Sequence, residues 1–227
     1  AAILLGAAGS ATAAEEDVTA WRLFVADHDK PVVNVIDALD GDKLNTFTVK
    51  GPASLYRSES GATVFAVQGS AGTVSTIASG IAFHDHGDHA DIDVDPAKML
   101  STQFTGQKPG HFVERQGKVA QWFDGERYAL VYSEAAVQDG KSDAKKVDVV
   151  APHHGVAVPY DNYAVVSIPN PDDASERPVG ARIVGLDGKK VGNDIACPGL
   201  HGSAGSGDTY ALSCETGLLL VTQKGDT

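Results

Sequence analysis

The densest chemical pattern in this sequence is a short run in which imidazoles alternate with carboxylates. Its members are His84, Asp85, His86, Gly87, Asp88 and His89. In an extended segment His84 and His86 project to the same face, and Gly87 lets the backbone turn so that His89 joins them. Zn²⁺ takes imidazole nitrogen and carboxylate oxygen as ligands, usually in a tetrahedral site. The run therefore predicts zinc ligation by His84, His86 and His89, with Asp88 as a further candidate.

Histidines farther along the chain recur at a fixed place in a repeated pattern. His154 lies nine residues before Tyr163 and His201 lies nine residues before Tyr210, so that the two tyrosines are 47 residues apart. A period in the forties is typical of one four-stranded propeller blade. His111 opens a looser copy of the pattern, and equivalent positions of successive blades gather at one mouth of the central channel. We therefore expect His111, His154 and His201 to converge on a metal ion.

The repeated histidines also have a structural explanation, which the sequence leaves open. Each ring can hydrogen-bond within its own blade, and the protein would then be a binding propeller whose partner is another protein. This alternative weighs most for His111 and for His153, which are candidate ligands with a less regular place in the repeat. Metal analysis of the purified protein would separate the two explanations.

Short β-rich runs separated by turn signals fill the sequence, and helical periodicity is weak. The 25 glycines and turn pairs such as Asp40-Gly41 and Asp187-Gly188 fit many short strands. Together with the repeat, these features predict an all-β protein, a β-propeller of repeated four-stranded blades. At about 45 residues per blade, the region 15–227 would hold about four to five blades, a partial ring that we expect to be truncated at its C-terminus.

The charge balance narrows the range of partners. The 227 residues include 18 Lys and Arg against 30 Asp and Glu, so the formal net charge is −12. Such a surface repels phosphate backbones and anionic lipid and concentrates cations, which argues against nucleic acid as a partner. After the N-terminal segment, no run approaches the roughly 18 consecutive apolar residues of a membrane span, so we expect no membrane insertion.

The N-terminal segment and the cysteines both indicate export. Residues 1–14 are small and apolar and precede an acidic run, which is typical of the later part of a secretory signal. The chain has two cysteines, Cys197 and Cys214, and an oxidising compartment favours a disulfide between them over a pair of metal thiolates. We therefore expect a signal peptide remnant at 1–14 and a periplasmic location.

The run from His84 to His89 also matches the H-x-H-x-D-H motif of the metallo-β-lactamase superfamily. There the motif builds a zinc centre that generates a hydroxide nucleophile. That fold is an αββα sandwich with several amphipathic helices, and the sequence shows no helix with convincing caps and period. A zinc hydrolase is therefore the second interpretation, and we expect no catalytic residues.

Four segments resemble those of the AztD zinc metallochaperones. They are residues 21–28, 85–92, 152–159 and 197–202. The resemblance implies a bacterial periplasmic β-propeller, here expected as a monomer, that works beside a zinc ABC transporter and delivers Zn²⁺ to its solute-binding protein. By the same resemblance the ligand role is carried over to His86, His89, His154 and His201, with His84 in support. Family members are longer than this chain, which implies that some blades lie outside it.

Overall fold

The chain folds into a series of short antiparallel sheets. The computed structural model describes residues 20–88 and 90–224; His89 and the predicted signal segment 1–14 lie outside the described residues. The first sheet, which we name blade 1, has three strands in chain order. They are β1 (Arg22–Ala26), β2 (Val32–Asp37) and β3 (Lys43–Thr48).

Blade 2 is a four-stranded sheet with a hairpin inserted before its last strand. The blade begins with β4 (Ser54–Arg57), β5 (Thr63–Gln68) and β6 (Thr73–Ala78). A separate two-stranded hairpin follows, formed by β7 (Ile81–Asp85) and β8 (Ala90–Val94). The chain then returns as β9 (Lys98–Thr105), which pairs directly with β6 and completes the blade.

Three further sheets follow, each built from consecutive strands. Blade 3 contains β10 (Pro109–Arg115), β11 (Lys118–Phe123), β12 (Tyr128–Ser133) and β13 (Lys145–Asp148), with the short helix α1 (Glu134–Gln138) before its last strand. Blade 4 contains β14 (Ala157–Pro159), β15 (Tyr163–Ile168), β16 (Gly180–Gly185) and β17 (Lys190–Ala196). Blade 5 contains β18 (Ser203–Ser206), β19 (Thr209–Cys214) and β20 (Gly217–Thr222).

Each new blade starts beside the one before it. β10 of blade 3 contacts β14 of blade 4, so the first strands of these successive blades adjoin. Antiparallel sheets repeated in this way form the propeller arrangement, which confirms the expected all-β, propeller-type fold. Within residues 20–88 and 90–224, α1 is the only helix, and no helix there has the length and apolar character needed to cross a membrane.

The hydrophobic core lies between the faces of neighbouring blades. β5 and β6 are buried at every residue, because blade 2 is covered on both faces. In the cluster between blades 2 and 3, Phe104 stacks on Tyr132 with the ring centroids 4.1 Å apart. Trp122 is 1% exposed and belongs to the cluster between blades 3 and 4. A buried aromatic ring removes roughly 150–250 Å² from water, so packing between sheets supplies much of the stability.

The expected disulfide is present and joins two blades. Cys197, directly after β17, is bridged to Cys214 at the end of β19, with the Cα atoms 5.0 Å apart. Cys197 is fully buried in a cluster that also contains Leu200 and Leu212. A native bridge of this kind is consistent with assembly in an oxidising, extracellular or periplasmic compartment.

Blades 2 and 3 are also joined by carboxylates at the ends of their strands. Glu114 in β10 accepts a hydrogen bond from the backbone N–H of Glu59 at 2.9 Å. Glu134 accepts hydrogen bonds from the hydroxyls of Ser60 and Thr63, both at 2.7 Å. Burial raises the pKa of Glu114 to about 7, and the charges of Glu134 and Glu59 act in the same direction, whereas the Glu59 N–H opposes the rise.

Replacing Glu114 with glutamine tests this buried carboxyl. The native state holds the Glu114 proton up to a pH of about 7, whereas an unfolded chain releases it near a pH of about 4.3. Wild-type protein should therefore lose stability relative to Glu114→Gln as the pH rises through this interval, by about 1–2 kcal/mol after allowance for partial exposure. Urea unfolding on either side of the interval measures the difference.

The exposed loop residue Glu176 supplies the control for this experiment. Glu176→Gln should follow the wild-type pH dependence, because its carboxyl is solvated in both the folded and the unfolded state. If Glu114→Gln also follows the wild type at both pH values, then Glu114 is not held as an uncharged carboxyl.

Candidate metal centre

Three side chains from two neighbouring blades meet where the first strands of the blades begin, a place that we call the mouth. His111 in β10, Asp124 directly after β11 and His154 in the loop before β14 offer ligand atoms that all lie within 4.8 Å of one another. The His111 and His154 ring centroids are 4.6 Å apart. Two imidazoles and a carboxylate at this spacing can hold a metal ion. Within the described segments, this is the only group of three or more such side chains at that spacing.

Strand pairing brings Asp124 to the start of β10. β10 and β11 run antiparallel, with a shift of register near the start of β10. The N–H of Asp124 donates to the carbonyl of Lys108 at 2.9 Å, which places the carboxylate beside the strand that carries His111. A Cβ on Gly110 would stand 3.1 Å from Oδ1 of Asp124, closer than ordinary contact. Glycine at this position therefore leaves room for the carboxylate.

The loop that carries His154 is held against blade 3 by a core tryptophan. The indole N–H of Trp122 donates to the carbonyl of His153 at 3.0 Å. A Cβ on Gly155 would collide with Ser167 and would lie 2.6 Å from both Cζ2 of Trp122 and Nε2 of His153. Only glycine fits at this point of the loop, and the backbone can then pass close enough to blade 3 for His154 to reach the mouth.

His153 makes hydrogen bonds away from the mouth. Its Nδ1–H donates to the carbonyl of Ala151 at 2.7 Å, and its Nε2 accepts from the hydroxyl of Ser167 at 2.9 Å. Ser167 in turn accepts from the N–H of Val156 at 3.0 Å. Burial lowers the pKa of His153, in keeping with a neutral ring in this network. Both ring nitrogens of His153 are thus hydrogen-bonded within the protein, which is what a structural role for this histidine would produce.

His201 approaches the same group from blade 5. Its ring centroid is 6.5 Å from that of His111 and 6.2 Å from that of His154. The backbone N–H of His201 donates to the carbonyl of Ser213 at 3.1 Å, and the loop starts at the bridged Cys197. Blades 3, 4 and 5 thus each bring one imidazole to the mouth. Their role as ligands stays a prediction.

Two buried atoms of the group have no hydrogen-bond partner, namely Nδ1 of His111 and Oδ1 of Asp124. The second carboxylate oxygen, Oδ2, accepts from Nδ1–H of His154 at 2.8 Å. Asp124 therefore orients one imidazole with one oxygen and keeps the other for a ligand. Buried polar atoms in native proteins normally have a partner. A metal ion between His111 and Asp124 would provide one, so these residues fit a bound metal.

The pKa of His111 suits metal binding at neutral pH. Burial lowers it most, and the nearby His154 and His201 lower it further, against the opposing effects of Asp124 and of the Gly155 backbone. A neutral ring keeps a nitrogen lone pair available. A protonated ring would have to release its proton before it could bind a metal ion.

His84 and His86 lie on the β7–β8 hairpin, where each pairs with a carboxylate. Nε2 of His84 is 3.0 Å from Oδ2 of Asp93, and Nε2 of His86 is 3.3 Å from Oδ2 of Asp91. All four side chains are more than half exposed. The two other candidates of the run are Asp88, exposed at the tip, and His89, outside the described residues. Ligation by this run therefore also stays a prediction.

Asp124 belongs to the centre but was not predicted from the sequence. It opens an Asp-Gly pair after a strand, and such pairs are common in surface turns without any ligand role. Its place beside His111 depends on how β10 pairs with β11, which is a property of the sheet. An Asp-Gly turn one antiparallel strand after a candidate ligand is the signal that could have identified it.

Antiparallel blades that bring imidazoles to one mouth define a propeller-type protein with a candidate metal centre. The chain is 77% identical over 222 residues to the Citrobacter koseri protein named Zinc chaperone AztD; the match covers 98% of this chain and 53% of that protein. The crystal structure of Citrobacter koseri AztD matches with a TM-score of 0.89 and 79% identity, over 92% of this chain and 56% of that one. The structure of apo AztD from the same organism gives a TM-score of 0.89 and 78% identity over the same shares.

The chain therefore belongs to the AztD family, which confirms the resemblance seen in its sequence. It spans about half the length of these relatives. No protein-family model matches the chain. The fold also differs from the αββα sandwich that the metallo-β-lactamase alternative requires, because the described residues form antiparallel blades with one five-residue helix.

Adding a methyl group at Gly155 should destabilise the loop that carries His154. The new Cβ would press on Trp122, His153 and Ser167 at once, and overpacking of this kind costs about 1–3 kcal/mol. Urea unfolding of Gly155→Ala measures the loss. Gly69→Ala is the matched control, because its Cβ would meet only the carbonyl oxygen of Pro109 at an ordinary 3.4 Å. Equal losses in the two variants would show that the loop is not packed tightly against blade 3.

Proposed function

We propose that the protein is a zinc metallochaperone, which binds Zn²⁺ and passes it on without acting on a substrate. The convergence of His111, Asp124, His154 and His201 at one mouth carries the proposal. Three imidazoles and a carboxylate supply the four ligands of a closed tetrahedral zinc site. A zinc hydrolase instead keeps one coordination position open for the water that it activates. If His201 closes on the group of His111, Asp124 and His154, the protein supplies all four ligands, which favours carriage over catalysis.

The donor chemistry favours zinc over the other common divalent cations. Calcium and magnesium prefer sites made of oxygen atoms, whereas this mouth is rich in imidazole nitrogen. Copper would bind a nitrogen site more tightly than zinc, so selectivity has to come from ligand geometry and from the supply of metal. The name Zinc chaperone carried by the 77% identical relative supports the same assignment.

We infer that the protein works in the periplasm, with residues 1–14 as part of its signal peptide and the region 15–227 as its propeller domain. The disulfide supports an oxidising compartment. The acceptor that we propose is the solute-binding protein of a zinc ABC transporter, met by a monomeric donor. Transfer proceeds by ligand exchange, in which the donor releases one ligand at a time to the ligands of the acceptor.

The exposed histidines of the hairpin have a place in this proposal. His84 and His86 lie on the β7–β8 hairpin and are more than half exposed, so an acceptor can reach them directly. Their carboxylate partners, Asp93 and Asp91, can fix the ring orientation through the second nitrogen of each imidazole. His89 of the same run, outside the described residues, is a further candidate. The hairpin therefore serves as an accessible second cluster for entry or exit of the ion.

Removing two imidazoles from the mouth should weaken zinc binding sharply. The double variant His111→Ala with His154→Ala leaves Asp124 and His201, too few ligands for a stable site, and should lower zinc affinity at least tenfold, about the loss expected on disturbing a metal site. The corresponding hairpin variant, His84→Ala with His86→Ala, should lose less, because the described residues of the hairpin form no group of three ligand atoms within 4.8 Å of one another. Competition with a chromogenic chelator measures both.

His28→Ala provides the control, because His28 is an exposed residue outside both clusters. Zinc affinity that is unchanged in the mouth variant would remove the mouth from the binding site. If the wild-type protein binds no zinc, then the structural explanation of the histidines is the one that remains. Zinc transfer to the solute-binding protein, assayed beside ester and lactam substrates, distinguishes the carrier from a hydrolase.

A further inference from the structure

The β7–β8 hairpin has two faces of opposite character. Strand pairing places His84 opposite Asp91 and Phe83 opposite Ile92. Because successive side chains of a strand point to opposite sides, the two pairs lie on different faces. The first face carries the histidine–aspartate pairs described above. The second face carries large apolar side chains.

The apolar face is formed by two directly opposed pairs. Phe83 faces Ile92, and Ile81 faces Val94. Phe83 is 59% exposed and Val94 is 45% exposed, whereas Ile81 and Ile92 are partly buried. A two-stranded hairpin needs packing on one face to be stable in water, and an exposed apolar patch commonly marks an interaction site. This face therefore needs a covering surface.

The hairpin is anchored where it leaves blade 2. Gly80 adopts a left-handed conformation, with φ of 75°, and its carbonyl accepts from the N–H of Asp95 at 2.7 Å. The guanidinium of Arg22 in β1 donates to the carbonyl of Ser79, and a Cβ on Gly80 would collide with it and with Asp95. These contacts hold the two ends of the hairpin together.

Charge identifies the kind of surface that fits this face. The segment 80–97 contains five aspartates and no lysine or arginine. The five are Asp85, Asp88, Asp91, Asp93 and Asp95. A covering surface must therefore be apolar at its centre and basic around its edge, because another acidic surface would be repelled. A second copy of this chain, with its net charge of −12, fits poorly.

We propose that the apolar face of the hairpin is the docking surface for the protein that accepts the metal, and that this acceptor has an apolar cleft rimmed by Lys and Arg. The proposal rests on the proposed function as a zinc carrier. When the acceptor binds at Phe83, the opposite face of the hairpin, with His84 and His86, stays uncovered at the edge of the complex. The same hairpin then serves both steps: its apolar face binds the acceptor, and its histidine face exchanges the ligand.

Phe83→Ser in the full-length protein tests the docking surface. Stopped-flow transfer is measured from zinc-loaded protein to two acceptors, the apo solute-binding protein and the small chelator EDTA. The concentration of solute-binding protein that gives half of the maximal transfer rate should rise at least about tenfold, as expected on loss of an aromatic anchor. Transfer to EDTA should be unchanged, because a small chelator needs no docking surface.

Two controls accompany this experiment. Leu39→Ser removes a similarly exposed apolar side chain (66% exposed) between β2 and β3 and should leave both transfers unchanged. Raising the ionic strength should slow transfer from wild-type protein to the solute-binding protein, since attraction between the acidic hairpin and a basic rim is screened by salt. Val94→Ser is the second variant on the same face, expected to act in the same direction as Phe83→Ser.

Other outcomes overturn the proposal. Wild-type rates with both hairpin variants would show that the acceptor binds elsewhere. Slower transfer to EDTA as well would mean that the face controls release of the ion and not docking. A large fall in melting temperature in both variants would show that the face is covered within the protein itself. Failure of the wild-type protein to transfer zinc to either acceptor would instead remove the proposed function, and the docking surface with it.

Discussion

The candidate centre depends on the alignment of the first strands of successive blades beside one another. The starts of β10, β14 and β18 bring His111, His154 and His201 together, while Arg115 and Gly205, near the opposite ends of β10 and β18, line a common pocket. The three histidines are 43 and 47 residues apart in sequence, so no local segment could group them. Packing between blades therefore sets the distances among the ligands.

Much of this arrangement could be predicted from the sequence, because it follows from repetition. The nine-residue offset between histidine and tyrosine indicates both the blade period and the convergence of His154 and His201, and two cysteines in a chain expected to be exported predict their bridge. Asp124 could not be recognised in the same way, since only strand register brings it to His111. The sequence also does not distinguish His153 from its neighbour His154. Only the folded structure shows that His153 bonds to Ser167 while His154 bonds to Asp124.

The two histidine clusters differ in how firmly the structure holds them. At the mouth, Gly155 lies against Trp122, and Asp124 orients the His154 ring, so the imidazoles depend on the packed interface between blades 3 and 4. On the hairpin, the imidazoles of His84 and His86 are more than half exposed and pair with the carboxylates of Asp93 and Asp91. A preorganised site retains an ion, because little ordering remains to be done on binding. Exposed side chains on a thin element exchange a bound ion more readily, so in the proposed carrier retention and exchange have separate structural supports.

The narrow base of the hairpin has a geometric consequence. Its strands of five residues each extend about 17 Å from their anchor at Gly80. A rotation of about 10° about this base would carry the tip through about 3 Å. That displacement exceeds the length of a zinc–nitrogen bond, about 2 Å. A small change of angle at the base would thus be enough to make or break contact at the far end.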